Sequence, residues 1–236
     1  MSTTPNLTRR ALGALSATLA AAPALAQQRA IPALPAGNAF ATTGAPPATR
    51  REVHSTRVLR AETATPANFA PFGTLLTTAG RPRLPINTYG PTLDLFREGL
   101  ETDQPIEWFI VEGRPRGTGV LFLERHQQLG QAFIPLAGQG FLTVVAAPDA
   151  PEEDGLPAPQ TLRAFWVPGD TPIQLHRGTW HENPMPVADG TRLLVTSHAN
   201  ITLAHQQSPD PRLRGLPLDL ERRWYRHAGW DISVAA

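Results

Sequence analysis

The chain has 236 residues, a length that suits one folded domain with extensions. It contains no cysteine and no lysine, so all 21 basic residues are arginine. Disulfides, thiolate metal sites and cysteine nucleophiles are therefore excluded, as are phosphate loops and Schiff-base enzymes that need a lysine. The 25 prolines and 19 glycines favour many turns and short strands over a helical bundle.

The first 26 residues predict a twin-arginine signal peptide. Arg9 and Arg10 precede a weakly apolar run over residues 11–22, and residues 23–26 (P-A-L-A) are typical of a small-residue cleavage site. The alternative is a short amphipathic helix or anchor, because the run is too short to span a bilayer. Removal of residues 1–26 leaves 19 arginines against 20 acids, a net charge of −1. We therefore expect a periplasmic or exported protein with no nucleic-acid or membrane partner.

The rest of the chain divides by composition into three parts. Residues 27–57 are rich in Ala, Pro, Thr and Arg without helical or strand periodicity, which predicts a flexible leader. Residues 58–207 carry the predicted folded domain. Residues 208–236 form a C-terminal extension in which arginines are interspersed with Leu and Trp. The extension predicts either a helix that packs on the domain or on a second subunit, or a loosely ordered tail.

Short runs of β-type residues separated by turns fill the predicted domain. One helix start is predicted, with Thr65 as the N-cap and Pro66 at the first helical position. The spacing of the other runs predicts an all-β sandwich or barrel with a few short helices. The predicted strands lie at residues 72–76, 107–111, 119–124, 132–135, 140–146, 161–167, 173–175 and 192–196.

The stretch from 123 to 138 places polar residues inside apolar surroundings. Glu124 and His126 lie on one face of the predicted strand, since side chains two residues apart point the same way. With Gln131 and Gly138 they form the pattern E-x-H-x4-Q-x6-G. This pattern resembles the first motif of the cupin superfamily, with Glu in place of the first His and Gln in place of the Glu. Burial of such side chains is costly unless they bind one another or a ligand.

A second cupin-like motif lies at residues 176–181 (H-R-G-T-W-H). His176 stands at the motif's proline position, Gly178 at its glycine and His181 at the histidine that binds metal in cupins. A divalent ion needs N and O ligands that converge from separate strands. The predicted ligands of one divalent metal (Ni, Mn, Fe or Zn) are Glu124, His126, Gln131 and His181.

The same residues also allow a site without a metal. In this alternative Glu124 forms an ordinary ion pair with Arg125, and the histidines are hydrogen-bonded core residues. Polar clusters with perturbed pKa values serve structural as well as functional roles. Spacing by itself leaves both interpretations open.

Three longer stretches resemble the ureidoglycolate lyases: 124–138 (E-R-H-Q-Q-L-G-Q-A-F-I-P-L-A-G), 161–165 (T-L-R-A-F) and 176–181. Residues 85–90 (P-I-N-T-Y-G) resemble an earlier segment of the family, and the resemblance covers about 58–207. It implies a cupin-like double-stranded β-helix barrel, commonly a homodimer. It also implies a carbon–nitrogen lyase that splits (S)-ureidoglycolate, a small-molecule substrate, into glyoxylate and urea in allantoin and purine catabolism.

The chemistry of that reaction suggests roles for individual residues. Cleavage needs a base for the hydroxyl proton, an acid for the departing nitrogen and a cation for the substrate carboxylate. We predict that His126 and His181 act on the carbonyl oxygen or hold the metal, and that His176 is the general base or acid. The predicted substrate-binding residues are Asn87 for the ureido group, Arg163 or Arg177 for the carboxylate, and Gln131 beside the histidines.

The chain departs from the family pattern at two places and adds an export signal. Glu182 replaces the second histidine of the family's W-H-H-P, and residues 197–200 (S-H-A-N) replace an acidic D-R-G-G turn. His198 therefore either enters the pocket or lies exposed on a loop. Two alternatives remain open: an exported cupin that acts on another small hydroxy acid or ureido compound, and a non-catalytic protein that binds a small carboxylate or a metal.

Overall fold

The computed structural model describes residues 30–34, 55–86, 92–198, 201 and 220–236. The predicted signal peptide, most of the predicted leader and Asn87 lie outside the described residues. The strands are accompanied by the α-helix α1 (Pro66–Phe69) and by 3-10 turns at Pro159–Thr161 and Tyr225–Ala228. No helix in these ranges is long and apolar enough to cross a membrane.

The described residues form 16 strands that build two larger sheets and one small ribbon. Neighbouring strands are antiparallel except that β1 is parallel to β10 and β16. The strands are β1 (Ser55–Thr63), β2 (Gly73–Leu75), β3 (Ile106–Gly113), β4 (Gly119–Val120), β5 (Phe122–His126), β6 (Ala132–Pro135), β7 (Phe141–Ala146), β8 (Glu152–Glu153), β9 (Leu156–Pro157), β10 (Arg163–Val167), β11 (Ile173–Leu175), β12 (Trp180–His181), β13 (Met185–Pro186), β14 (Thr191–His198), β15 (Leu220–Trp224) and β16 (Trp230–Ala235).

The larger sheet has the strand order β15-β5-β12-β7-β10-β1-β16-β4, with β13 also paired to β7. The second sheet has the order β2-β11-β6-β14-β3, and β8 pairs with β9 in the ribbon. The two larger sheets are curled, in a manner consistent with a cupin β-barrel. The predicted all-β, cupin-like fold is thus confirmed, and each predicted strand run overlaps an observed strand.

The predicted helix start is confirmed by its cap. The Thr65 hydroxyl accepts a hydrogen bond from the Asn68 N–H, and the Asn68 side chain accepts one from the Thr65 N–H. Pro66 occupies the first turn, where its missing N–H costs nothing. This single turn delivers Phe69 to the barrel interior, where its ring meets Phe165 edge to face with the centroids 5.2 Å apart.

Strand β7 separates two cores. Phe141 and Val145 point into the barrel between the sheets, whereas Leu142 and Val144 point into a second core on the other face. Every residue of β7 is buried, which explains why this stretch is apolar except for Thr143 and does not alternate.

The second core draws on both predicted extensions. Ile232 and Val234 of β16 are buried in it, and Ile31 and Leu34 of the predicted leader pack against it. Both alternatives for the C-terminal extension, a helix and a loosely ordered tail, are wrong for residues 220–236, which form β15, a 3-10 turn and β16. The physical reason is the period of two in β16, whose buried residues alternate with more exposed ones.

Candidate active site

Three side chains from two neighbouring strands converge inside the barrel. Glu124 and His126 lie on β5, and His181 lies on β12 in register with Glu124. One ligand atom from each residue lies within 4.8 Å of the other two, and all three side chains are buried. The two cupin-like motifs of the sequence therefore meet at one place, as predicted. We refer to Glu124, His126 and His181 as the Glu/His/His group.

Hydrogen bonds fix the tautomer of His181. Its Nδ1 lies 3.0 Å from the carbonyl oxygen of Thr179, which can only accept, so Nδ1 carries the proton and donates. Its Nε2 is left with a lone pair that faces Glu124 Oε1 at 3.8 Å. The imidazole of His126 lies beside it, with ring centroids 5.5 Å apart. The group thus presents one carboxylate oxygen and unprotonated ring nitrogen to a shared space.

Arg222 binds the group from β15. It stands in register with Glu124, and its Nε and Nη2 donate to Glu124 Oε2 at 2.9 and 2.5 Å. The guanidinium carbon also lies 4.4 Å from the centroid of the Phe122 ring. Arg222 was not among the predicted site residues, because nothing in the local pattern of the extension shows which strand it joins.

Arg125 lies on the opposite face of β5 and is not the partner of Glu124. Its Nε donates to Glu221 at 2.6 Å, and its guanidinium carbon lies 4.2 Å from the ring of Trp180, a fully buried core residue. The ion pair between Glu124 and Arg125 considered in the alternative without a metal is therefore wrong. The period of two along β5 sends Glu124 inward and Arg125 outward.

Burial sets the charge state of the two histidines. It lowers the pKa of His126 to about 3, with the charges of His181, His198 and Arg222 acting in the same direction and Glu124 opposing them. Burial also lowers the pKa of His181. Burial acts to raise the pKa of Glu124, but the charges of Arg222, His181 and His126 and the hydrogen bond from Arg222 together outweigh it and hold this pKa below its ordinary value. At neutral pH the group therefore consists of a carboxylate and two neutral imidazoles.

The residues present fit a metal ion. Among the described residues no hydrogen-bond partner is found for either ring nitrogen of His126, for His181 Nε2 or for Gln131 Oε1, and all four atoms are buried. Buried polar atoms usually have partners, and those without one call for an explanation. A set of imidazole nitrogens, a carboxylate oxygen and an amide oxygen suits a divalent metal. The Glu/His/His group could thus hold a metal ion.

The buried neutral histidines predict acid lability of the metal-free protein. A pKa of about 3 for folded His126, against an ordinary 6.5, means that the unfolded chain takes up the proton first as the pH falls. The free energy of unfolding therefore keeps its full value above pH 6.5 and decreases as the pH falls below 6.5. The contribution of His126 to this decrease is about 2 kcal/mol by pH 5. We expect chemical denaturation in the presence of chelator to show this loss between pH 7.5 and 5.

His126→Leu is the matched control for that measurement. Burial raises the pKa of Glu182 to about 7, which favours the folded state on acidification, but this contribution is present in both proteins. The difference between the wild type and His126→Leu isolates His126. Equal losses in the two proteins would contradict the prediction.

Gln131, a predicted ligand and substrate-binding residue, is buried, and that role stays a prediction. Its Nε2 donates to the Thr196 carbonyl at 3.0 Å, which orients the amide and leaves Oε1 as the acceptor. The Thr196 hydroxyl accepts from the Ala132 N–H at 2.7 Å and fixes the start of β6. Gln131 can therefore offer an oxygen to a metal or to a substrate N–H.

The structure does not bring the other predicted residues to the Glu/His/His group. His176 is exposed, and its Nε2 lies 3.2 Å from the Ala70 carbonyl oxygen. Arg163 donates to Glu62, and Arg177 forms a two-pronged pair with Asp103 at 2.8 and 3.0 Å. Asn87 lies outside the described residues. Their catalytic and substrate-binding roles stay predictions.

The two departures from the family pattern have different outcomes. Glu182 points away from the barrel interior. Its carboxylate accepts hydrogen bonds from Arg116 and from the backbone N–H groups of Leu121 and Phe122. His198, in contrast, is buried, and its Nε2 lies 3.2 Å from the Thr102 hydroxyl. The expectation of an exposed loop histidine is wrong, and His198 is close enough to help lower the pKa of His126.

A small β-barrel that buries two histidines and a carboxylate on neighbouring strands defines a cupin-type protein. The sequence profile of the ureidoglycolate lyase family matches residues 56–209, and the chain belongs to that family. It is 37% identical over 150 residues to the ureidoglycolate lyase of Pseudomonas savastanoi pv. phaseolicola, a match that covers 61% of this chain and 84% of that protein.

Two further ureidoglycolate lyases are similar to this chain over nearly the same length. That of Pseudomonas aeruginosa is 36% identical over 149 residues, covering 61% of this chain and 85% of that protein. That of Azotobacter vinelandii is 32% identical over 145 residues, covering 59% and 84%. The family match ends before β15 and β16, so Arg222 stands outside it.

Proposed function

We propose that this protein is a ureidoglycolate lyase, a carbon–nitrogen lyase that releases glyoxylate and urea from (S)-ureidoglycolate. The observation that carries the proposal is the buried Glu/His/His group inside a barrel that belongs to this family. The departure at Glu182 does not count against it, because this side chain is turned away from the group. An allantoin or purine breakdown pathway would supply such a substrate.

The reaction transfers one proton and consumes neither water nor electrons. Ureidoglycolate is a hemiaminal: loss of its hydroxyl proton forms the glyoxylate C=O bond, the C–N bond breaks, and the urea nitrogen takes up a proton. Neutral His126 and His181 suit this exchange, since each has an unprotonated ring nitrogen at neutral pH. Glu124 stabilises whichever imidazole carries the proton.

The remaining predicted residues have roles at the edges of this reaction. Gln131 Oε1 is an acceptor for a ureido N–H, a role we also propose for Asn87. We retain His176 as a candidate acid or base, and Arg163 or Arg177 as a candidate carboxylate ligand. A metal held by Glu124, His126, His181 and Gln131 would supply a Lewis acid to the reacting oxygen. Nickel, manganese, iron and zinc all suit these ligands.

The test is glyoxylate release from ureidoglycolate by residues 27–236. We expect release above the spontaneous decay of the substrate, which is measured without protein, and above the rate of the His126→Ala protein under the same conditions. Parallel reactions with chelator and with each divalent metal show whether activity depends on a metal. A wild-type rate no higher than the decay without protein would reject the lyase, and the alternatives of a different small hydroxy acid or ureido substrate, or of a binding protein, would then take its place.

We further propose that the protein acts in the periplasm and as a homodimer. Arg9-Arg10 and the apolar run after them support export by the twin-arginine route. Exposed apolar side chains on β3, an edge strand of the second sheet, support contact with a second copy: Trp108 is 56% exposed and Ile110 is 72% exposed. Cell fractionation and sedimentation of the purified protein test these two proposals.

A further inference from the structure

Arg222 places a full positive charge against the Glu/His/His group. Its side chain is 8% exposed, and two of its nitrogens bind one oxygen of Glu124 while the other oxygen faces His181. The charge of Arg222 affects all three members of the group, since it acts to lower the pKa values of Glu124, His126 and His181. With two neutral imidazoles, Glu124 and Arg222 together have no net charge.

Charge balance decides which ligand such a site accepts. A buried carboxylate with two imidazoles and no arginine would attract a divalent cation and repel an anion. The cation of Arg222 beside the carboxylate weakens the attraction for a divalent cation and removes the repulsion of an anion. A small carboxylate can then enter a buried site without meeting a net negative charge.

The strand that carries Arg222 is firmly part of the barrel. Five residues of β15 pair with β5, and Leu220 and Trp224 are buried on the same face as Arg222. On the opposite face, Glu221 accepts from Arg125 at 2.6 Å and also binds Arg223. Contacts on both faces of β15 thus fix the strand that carries Arg222. This strand lies beyond the family match, which ends at residue 209.

We propose that Arg222 is a specificity-determining residue that adapts the Glu/His/His group to an anionic substrate and lowers its affinity for a divalent cation. Arg222 acts through Glu124 as a positioning residue and is not assigned a contact with substrate. The inference deepens the proposed function, because ureidoglycolate carries a carboxylate. It assigns to the C-terminal extension a direct influence on which ligands bind.

The test compares Arg222→Met with Arg223→Met in two binding measurements. Arg223 is the matched control, since it is the same residue type on the same strand but faces outward toward Glu221 and the Gly155 carbonyl. The first measurement is the affinity for glycolate and for its uncharged analogue glycolamide. The second is the affinity for Zn²⁺, measured by competition with a chromophoric chelator at pH 8.

For Arg222→Met we expect the affinity for glycolate to fall about tenfold or more, with that for glycolamide unchanged, and the affinity for Zn²⁺ to rise about tenfold or more. Arg223→Met is expected to change none of the three. A purely structural role would weaken all binding together, so the rise in Zn²⁺ affinity separates the two explanations. Arg222→Gln, which keeps a donor to Glu124 but not the charge, replaces Arg222→Met if that variant fails to fold.

An equal change for glycolate and glycolamide, or a Zn²⁺ affinity that falls or stays constant in a folded variant, would overturn the inference. So would a wild-type protein that does not bind glycolate. These measurements do not use the lyase reaction. A wild type that releases no glyoxylate therefore rejects the proposed function, while the ratio of glycolate to glycolamide affinity still decides the role of Arg222.

Discussion

His126→Leu is expected to lower kcat/KM for ureidoglycolate by at least about 10²-fold, the range for loss of a positioned acid or base. The variant is also expected to make the metal-free protein more stable, by about 1 kcal/mol. The reason is that neither ring nitrogen of His126 has a hydrogen-bond partner among the described residues, although the ring is buried. Leucine fills a similar volume without leaving buried polar atoms unsatisfied. Activity and stability should therefore change in opposite directions.

His181→Ala extends this prediction to the second histidine. It is expected to lose activity to a similar degree but to lower stability, because it removes the hydrogen bond to the Thr179 carbonyl and leaves a cavity. Steady-state rates, with circular dichroism to verify the fold, provide the measurement. His176→Ala is measured beside it: this histidine is exposed, and a loss as large as that of His181→Ala would support its candidate role as acid or base, whereas a smaller loss would place that role on His126 and His181. Full activity in both His126→Leu and His181→Ala would show that the site is assigned wrongly.

Breaking the ion pair between Glu124 and Arg222 is expected to cost about 3–5 kcal/mol of folding free energy in either single variant, Glu124→Leu or Arg222→Met. Each change leaves the opposite charge buried without its partner, since both side chains are almost inaccessible to solvent. The double variant places two apolar side chains against each other and Phe122, so most of the loss should be recovered.

Urea or guanidinium denaturation of the four proteins gives the coupling energy between the two positions. Glu221→Leu with Arg223→Met is the matched cycle on the opposite face of β15, where the side chains are about one fifth exposed and the coupling should stay below about 1 kcal/mol. Additive losses for Glu124 and Arg222 would show that the buried pair contributes no coupling, contrary to expectation.

Local rules account for much of what could be predicted from the sequence. The cap at Thr65 depends on residues three positions apart, so the sequence carries all the information that the cap needs. The strands at 132–135 and 173–175 were predicted with the observed bounds, because short apolar runs between turns leave little choice. The shared face of Glu124 and His126 follows from the period of two in a strand, and the family resemblance is confirmed by the match over 56–209.

Other features depended on contacts between distant parts of the chain. Arg163 and Arg177 were predicted to bind the substrate carboxylate because of their charge, but each binds an acidic side chain that the sequence does not mark as its partner. Glu62 lies 101 residues from Arg163, and Asp103 lies 74 residues from Arg177. The extension was expected to form a helix or a loose tail, because an arginine-rich segment with scattered Leu and Trp suits either in isolation. Only pairing with β5 and β1 makes it two strands.

The sequence by itself determined the all-β class, the exclusion of cysteine and lysine chemistry, and the shared face of Glu124 and His126 in the site, because composition needs no structure and strand periodicity acts over a few residues. The tertiary structure alone decided the charge of that site. Glu124 and Arg222 are 98 residues apart, and they meet only because β15 pairs with β5 in one particular register. A shift of that register by one residue would turn Arg222 outward and leave Glu124 without its cation, since the side chains of a strand alternate between its faces.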